Sequence, residues 1–497
     1  MGGAGLLPVH SYSTGAATCR TIREEKCGGE ANMKYLLIAG LAMLTTTTSA
    51  AAQGAPHEVQ ARAIFDRIVG FRTAEGHKQV PAMAAYLAEV LRAGGLTSDE
   101  IMMLPSGETT GMLVRLAGRD AAARPILFSA HMDVVDARPE DWDRNPYKLI
   151  EENGTFYGRG TLDNKAGVAA LASTILRMKK SGAKPRRTLI FAFVGDEETG
   201  LDEAEGTTRK IAAHPWVRNA EYAINTDAGG GLMGPDGKPL IYLVQGAEKT
   251  YATFEVVVKN PGGHSSRPRA GDNAIADLAR ALLKISEHRF PVQSSALTRA
   301  YLGAVGKVTP GAEGEALRAF AANPADAAAA DAIWKYPEFV GTTRTTCVPT
   351  MVEAGHAENA LPQRASAKVN CRIFPDVPVD EIRQELIRVV GDPKVQVNVV
   401  GNPQLSRASD LTPPIEAAIT RSIQKFYPGV PVSPYLESGG TDGLIYRAAG
   451  IPTLASSGTF IRADEMFAHG KNERLPVKSF YEGVQHFYDL ATELGGK

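Results

Sequence analysis

The sequence predicts an α/β protein: a discontinuous domain on a mixed, mostly parallel sheet, with an α+β domain inserted into it. Two observations predict it. Between residues 125 and 230 short apolar runs alternate with a helical pattern, and each run ends near an acid or a histidine, the way an open α/β sheet presents ligands beyond the carboxyl ends of its strands. Between residues 246 and 385 the pattern changes to alternating strands around a helix and then reverts, as expected where one domain interrupts another.

With 497 residues, 44% hydrophobic and 22% charged, the chain is long enough for two or three globular domains. Its 54 basic and 55 acidic residues nearly balance, and no Lys/Arg cluster interleaves with aromatics, which argues against a nucleic-acid partner. Met33-Lys34-Tyr35, the apolar run 36–44 and Ser49-Ala50-Ala51-Ala52 read as a signal peptide over 33–52, cleaved near Ala52. The run is too short for a stable membrane anchor. A periplasmic or secreted location follows, with residues 1–32, including Cys19 and Cys27, as an upstream non-native extension. Export leaves Cys347 and Cys371 in an oxidising compartment. Two readings stay open for them: a disulfide across paired strands, or two buried thiols.

The first part of the larger domain spans 53–245. Residues 57–91 read as helical, with Ala61, Ile64, Phe65, Ile68 and Leu87 on the apolar side. Residues 126–130 form an apolar strand, and an extended chain points His131 and Asp133 the same way, an imidazole with a carboxylate placed to orient it. The polar stretch 136–160 is a long loop whose Trp142 either lines a site or packs the loop. Asp163 precedes a helix marked by Val168, Leu171 and Ile175 and stopped by Gly182 and Pro185. The β-branched and aromatic strand 188–194 delivers Asp196, Glu197 and Glu198, and strand 221–225 delivers Asp227.

From His131 to Asp163, Glu198 and Asp227 each step is about one βαβ unit, roughly 30 residues. Taken singly, Asp163 could cap a helix and Asp227 sit in a turn. Jointly, carboxylates with imidazole and no thiolate suit zinc in a catalytic setting, or manganese or cobalt.

The inserted segment, 246–385, opens on the alternating strand Thr250–Lys259 and a helix over 272–287, and carries an Ala-rich surface insertion over 320–334. The second part of the larger domain, 386–497, resumes with the strand Val395–Val400, a helix over 414–426 and a last helix over 478–494. Between these lie Glu437-Ser438-Gly439-Gly440-Thr441-Asp442 and His469-Gly470-Lys471-Asn472-Glu473.

On these separated motifs nearly all of the mature chain resembles the zinc aminoacylase and carboxypeptidase family, which includes carnosinase-like dipeptidases, N-acyl-amino-acid hydrolases and succinyl-diaminopimelate desuccinylase. The resemblance implies a catalytic domain holding two Zn2+ per subunit, with Co2+ or Mn2+ as substitutes, and an inserted lid that forms a homodimer. It makes His131, Asp163, Glu198, Asp227 and His469 the metal ligands, with Asp163 bridging, Asp133 orienting His131, and Glu197 the general base. It assigns His264, within Gly262-Gly263-His264-Ser265-Ser266, to reach across a dimer, and pairs Asn359 with Arg372 as substrate binders by their thirteen-residue spacing. Gly440 and Thr441 resemble the loop near the substrate carboxylate; outside the resemblance, Thr441 reads as a helix cap. Asp227, where some branches carry Glu, resembles the dipeptidase and N-acyl-amino-acid hydrolase branches.

The implied activity is hydrolysis of the amide bond that releases a C-terminal amino acid from a short peptide or N-acyl amino acid. A biosynthetic desuccinylase or deacetylase is the alternative, against which the signal peptide counts. A silent binding protein on the same scaffold is another, against which Glu197 counts.

Overall fold

The computed structural model describes residues 54–200, 205–269 and 271–496. The expected signal peptide, its cleavage point, Cys19 and Cys27 lie outside the described residues. Among the described residues no helix is long and apolar enough to cross a membrane.

A mixed ten-stranded sheet organises the fold. At its centre the wholly buried strands Ile126–His131 and Leu189–Val194 run parallel, followed by Tyr222–Asn225 and Thr453–Ala455 in the same sense. Such unbroken apolar runs suit strands covered on both faces. Antiparallel strands Ile101–Ser106 and Thr109–Leu116 close one edge. One face is covered by Pro56–Val69, Val80–Ala93, Lys165–Lys180 and Val477–Gly495, where Phe65 stacks on Phe480 at 4.6 Å. On the other face lie Thr207–Ala213 and Gly443–Ala448. The helical stretch expected over 57–91 is two helices, because the chain turns between them at Gly76 (φ 79°) and Lys78 (φ 56°).

The second sheet has four antiparallel strands, in the order Thr346–Ala354, Arg364–Ile373, Thr250–Lys259, Val395–Val400. Helices Ala274–Glu287 and Val379–Val390 cover it and share its core. The limit expected at 385 therefore moves: Val395–Val400 is the edge of this sheet, because Val395 and Val397 bury against the cluster of Ile382, Leu386 and Val390. Cys347 and Cys371 stand opposite one another in its register and are joined in a disulfide.

The Ala-rich stretch is also more than a surface insertion. Helices Ala296–Val308, Gly311–Ala322, Ala327–Ile333 and Pro337–Thr343 bury Leu317, Phe320 and Ile333 in one cluster with Ile241 and Leu243 of the large sheet. Poor helix signals at Gly303, Gly306 and Gly314 are offset by that packing, since glycine lets Ala296–Val308 approach Gly311–Ala322 closely.

Candidate metal centre and active site

Several of the chemical groups enter the site from the ends of regular elements, whereas His469 comes from a turn. The strand Ile126–His131 ends on His131, which is fully buried, while Leu189–Val194 and Tyr222–Asn225 lead to Glu197 and Asp227 a few residues beyond their last positions. His131 Nε2 lies 2.8 Å from Asp163 Oδ1 and 3.2 Å from Asp227 Oδ1. His469 Nε2 lies 3.1 Å from Asp163 Oδ2 and 3.0 Å from Glu198 Oε1. The two oxygens of Asp163 thus face two different imidazoles. Among the described residues potential ligand atoms gather in three groups, His131/Asp163/Asp227, Asp163/Glu198/His469 and His131/Glu197/Glu198, each within 4.8 Å.

The donor set fits divalent metal ions. Imidazole nitrogen and carboxylate oxygen without thiolate are the ligands such ions take in catalytic sites. The electrostatics agree: burial, then Asp163, pushes the Asp227 carboxyl up to about 6, although His131 opposes it. Burial and the Asp227 charge hold Glu197 well above the usual carboxylate range. Burial lowers the His131 imidazole, but Asp227, Asp133 and Asp163 outweigh it and raise the ring well above its ordinary value. Hydrogen bonding to Asp163 and Glu198 brings His469 to about 10. Burial and mutual repulsion thus disfavour the ionised forms of Asp227 and Glu197, a penalty a bound cation would relieve, whereas at Asp163 burial is outweighed by the two imidazoles, which hold the carboxyl well below the usual carboxylate range.

The supports are local. His131 Nδ1 lies 3.0 Å from the Asp133 carbonyl and 3.6 Å from its carboxylate. That carboxylate accepts from the backbone N–H of Glu197 and Glu198 at 3.1 and 2.9 Å, so it fixes the start of the short helix Glu197–Gly200 as well. Asn164 donates to Asp227 at 2.9 Å and accepts from Thr226 at 2.7 Å. The approach needs glycine at 167, where a Cβ would stand 2.0 Å from Asn164 Oδ1 and 2.3 Å from Thr226 Oγ1. The peptide bond between Asp163 and Asn164 is cis.

Sequence reasoning assigned no role to Glu473, which organises the whole Asp163 loop. Its buried carboxylate accepts from the backbone N–H of Gly160, Leu162 and Asp163 at 2.9, 2.7 and 2.9 Å and pairs with Arg159 at 2.8 Å. The Arg159 guanidinium stands 5.2 Å from the ring centroid of Trp142, which lies outside the wall of the cavity over the cluster and so packs the loop.

A cavity of about 950 Å³ opens over the cluster. Asp163, Glu197, Glu198, Asp227 and His469 line one end, and Arg372 and the stretch Ser438, Gly439, Gly440, Thr441 line another part. Arg372 donates to the Ser438 carbonyl at 3.1 Å and stands over the Tyr251 ring at 4.7 Å. Thr441 is held by its backbone N–H, which donates to the buried Glu248 at 2.7 Å; Glu248 also pairs with Arg447. His264 and Asn359 are not in this cavity. They sit together at the two-stranded ribbon Gly263–His264 with Ala360–Leu361, whose first strand is exposed and where Ser265 N donates to the carbonyl of Asn359, just before the second strand, at 2.9 Å. Within one chain the spacing that paired Asn359 with Arg372 does not bring them to one place.

Also missed was Lys249, wholly buried yet part of the cavity wall. Its signal was the charged Glu248-Lys249 pair breaking an otherwise apolar and β-branched stretch.

Imidazoles and acids gathered beyond the carboxyl ends of a mixed sheet, with the acids lining a substrate-sized cavity, define a metal-dependent hydrolase of peptide and amide bonds. The comparison with known sequences makes the assignment specific: the chain belongs to Peptidase family M20/M25/M40, whose family profile matches residues 127–493. It is similar to the N-fatty-acyl-amino acid synthase/hydrolase of Homo sapiens, 27% identical over 390 residues that cover 76% of each chain. It is similar also to the protein named "Probable carboxypeptidase S-like 2" of Dictyostelium discoideum, 27% identical over 392 residues, 75% of this chain and 72% of that one. Among solved structures, the M20 family metallo-carboxypeptidase of Sulfolobus solfataricus shares the fold, with a TM-score of 0.66 at 18% identity over 88% of this chain and 99% of that one.

Proposed function

We propose that this chain is an exported hydrolase with two zinc ions per subunit that releases a C-terminal amino acid from a short peptide or an N-acyl amino acid. The observation that carries the reading is the pairing of the Asp163-centred cluster with Arg372 across one cavity. His131, Asp163, Glu198, Asp227 and His469 would hold the ions, which when bound supply Lewis acidity toward the carbonyl and the attacking water.

The remaining work belongs to the chain. Glu197, buried at the cavity wall where burial and the Asp227 charge raise its carboxyl well above the usual range, takes the proton from water and returns it to the leaving nitrogen. Arg372 presents a planar fork to the terminal carboxylate. Gly440 and Thr441 shape the same end. The apolar cavity walls at Leu232, Leu243, Leu436 and Ile461 suit an apolar acyl group or side chain, in keeping with the fatty acyl substrate named for the human relative.

The second sheet acts in this reading as a lid and dimerisation domain. Its edge strand Thr346–Ala354 exposes Val348, Met351 and Val352, and an apolar free edge is a pairing surface. His264 of the partner subunit would then donate to the developing oxyanion, with Asn359 beside it.

The test is a screen of dipeptides and N-acyl amino acids with zinc-loaded mature protein, reading released amines by mass spectrometry. Release of a free C-terminal amino acid, abolished by chelation and restored by zinc, is the expected result. Release only of succinate or acetate from diamino substrates, or no release, refutes the proposal.

A further inference from the structure

Lys249 joins the strands Pro239–Glu248 and Thr250–Lys259 and is 2% exposed, yet it lines the cavity. Its Nζ donates to the Arg344 carbonyl at 2.8 Å, the one hydrogen bond it makes among the described residues. An ammonium has three donors, so two remain. Arg372 resembles it: among the described residues it also forms no ion pair, and its recorded hydrogen bond goes to the Ser438 carbonyl.

Both cations face the same loop. A Cβ at Gly341 would stand 3.2 Å from Lys249 Nζ and 3.5 Å from Ser438 Oγ, so the amine and Ser438 meet across a residue that has no side chain to separate them. Neither nearby acid pairs with the lysine, although the Glu437 charge favours the Arg372 guanidinium. Glu437 accepts from Tyr435 Oη and from the backbone N–H of Ser438 and Gly439 at 2.9, 2.7 and 3.1 Å. Glu248 is committed to Arg447 and Thr441. Burial, and then the Arg372 charge, lower the Lys249 amine to about 7. A buried amine beside a guanidinium, without a counter-ion on the protein, is costly unless an anion arrives.

We propose that Lys249 is a second anchor for the substrate's terminal carboxylate, which it and Arg372 grip together. This rests on the proposed function and deepens it: selectivity for a free carboxylate is set by two cations, Lys249 at the junction between two strands and Arg372 on the strand that pairs with Thr250–Lys259, of which the lysine is the buried one. A neutral C-terminal amide leaves both unpaired and is rejected.

The experiment compares metal-loaded wild type, Lys249→Met and Lys249→Arg on the best substrate of the screen and on its C-terminal amide. Lys249→Met raises KM for the carboxylate about ten- to hundredfold, the worth of one charge-assisted hydrogen bond, leaves kcat nearly unchanged and leaves KM for the amide unmoved. Lys249→Arg recovers most of the loss. Equal losses on carboxylate and amide overturn the assignment and make Lys249 a structural residue. Calorimetry with N-acetyl-leucine and N-acetyl-leucinamide separates this from the enzymatic reading. Carboxylate-selective binding that disappears in Lys249→Met supports the anchor even if no turnover is found, whereas equal binding of the two compounds, or none, refutes it.

Discussion

Replacing Glu473 with alanine tests how the metal centre is held. In the native chain the carboxylate satisfies three backbone N–H groups of the Gly160–Asp163 loop and the Arg159 guanidinium. Arg159 and Glu473 have side chains 3% and 0% exposed, so water does not take over when one is removed. Breaking a buried ion pair costs about 3–5 kcal/mol, and each orphaned buried N–H adds roughly 1–3 kcal/mol before relaxation. The terms overlap because they share one carboxylate, so the expected loss is at least about 4 kcal/mol. Glu473→Gln keeps an acceptor and should lose about half as much. Asp163 is itself one of the residues so held, by its backbone N–H, so metal affinity should fall about 10–100-fold. Urea unfolding of chelated and metal-loaded protein measures the first effect, and calorimetric zinc titration the second. A loss below about 1 kcal/mol with unchanged zinc affinity would refute the reasoning, because it would mean the loop is held without its central acceptor.

Three further outcomes are expected. Glu197→Gln should bind zinc as the wild type does and lose at least about a hundredfold in kcat; activity within tenfold of wild type removes Glu197 as general base. In chelated protein His469 has a folded value of about 10 against an ordinary 6.5, so its contribution to stability is complete below about 6.5 and is lost as pH rises toward 10. The urea midpoint of chelated protein should fall over that window, and His469→Ala should flatten the fall; an unchanged slope in the variant defeats the assignment. Replacing Cys347 and Cys371 together by serine opens a loop of sequence separation 24 and should cost about 3 kcal/mol by chain entropy, read as a lower urea midpoint that reducing agent does not lower further.

Residues that follow a strand were legible in the sequence, and residues that serve the backbone of a distant segment were not. His131 and Asp227 could be placed because a buried parallel strand announces itself by an unbroken apolar run, and the end of the run fixes where the next side chain points. Glu473 lies more than three hundred residues from the loop it holds, and its partners are N–H groups that carry no sequence signature. Val395–Val400 shows the same limit in the fold. Its alternation marks a half-buried strand, but nothing in a period of two says which sheet it joins. The Ala-rich helices looked superficial because alanine buries little area apiece, and only the pairing of Phe320 and Leu317 with Ile241 reveals them as core.

The two sheets have separate hydrophobic cores, yet the cavity draws residues from both. Asp163, Glu197 and Asp227 belong to the first, Tyr251 and Arg372 to the second, and Lys249 is the single residue between the strand Pro239–Glu248 of one sheet and Thr250–Lys259 of the other. The distance from the Asp163 cluster to Arg372 and Lys249 is therefore set by how this one continuous stretch bends from sheet to sheet. On either side of the bend the chain is pinned: Glu248 by Arg447 and Thr441, and Thr250 by its place opposite Ile373 and by Ser406 N, which donates to its hydroxyl at 2.7 Å. A substitution that loosens the pinning, such as Glu248→Ala, should then raise KM for every substrate length alike. Changes deeper among the apolar walls should discriminate between acyl groups instead, because they alter what fills the cavity and leave the span between its two polar ends as it was.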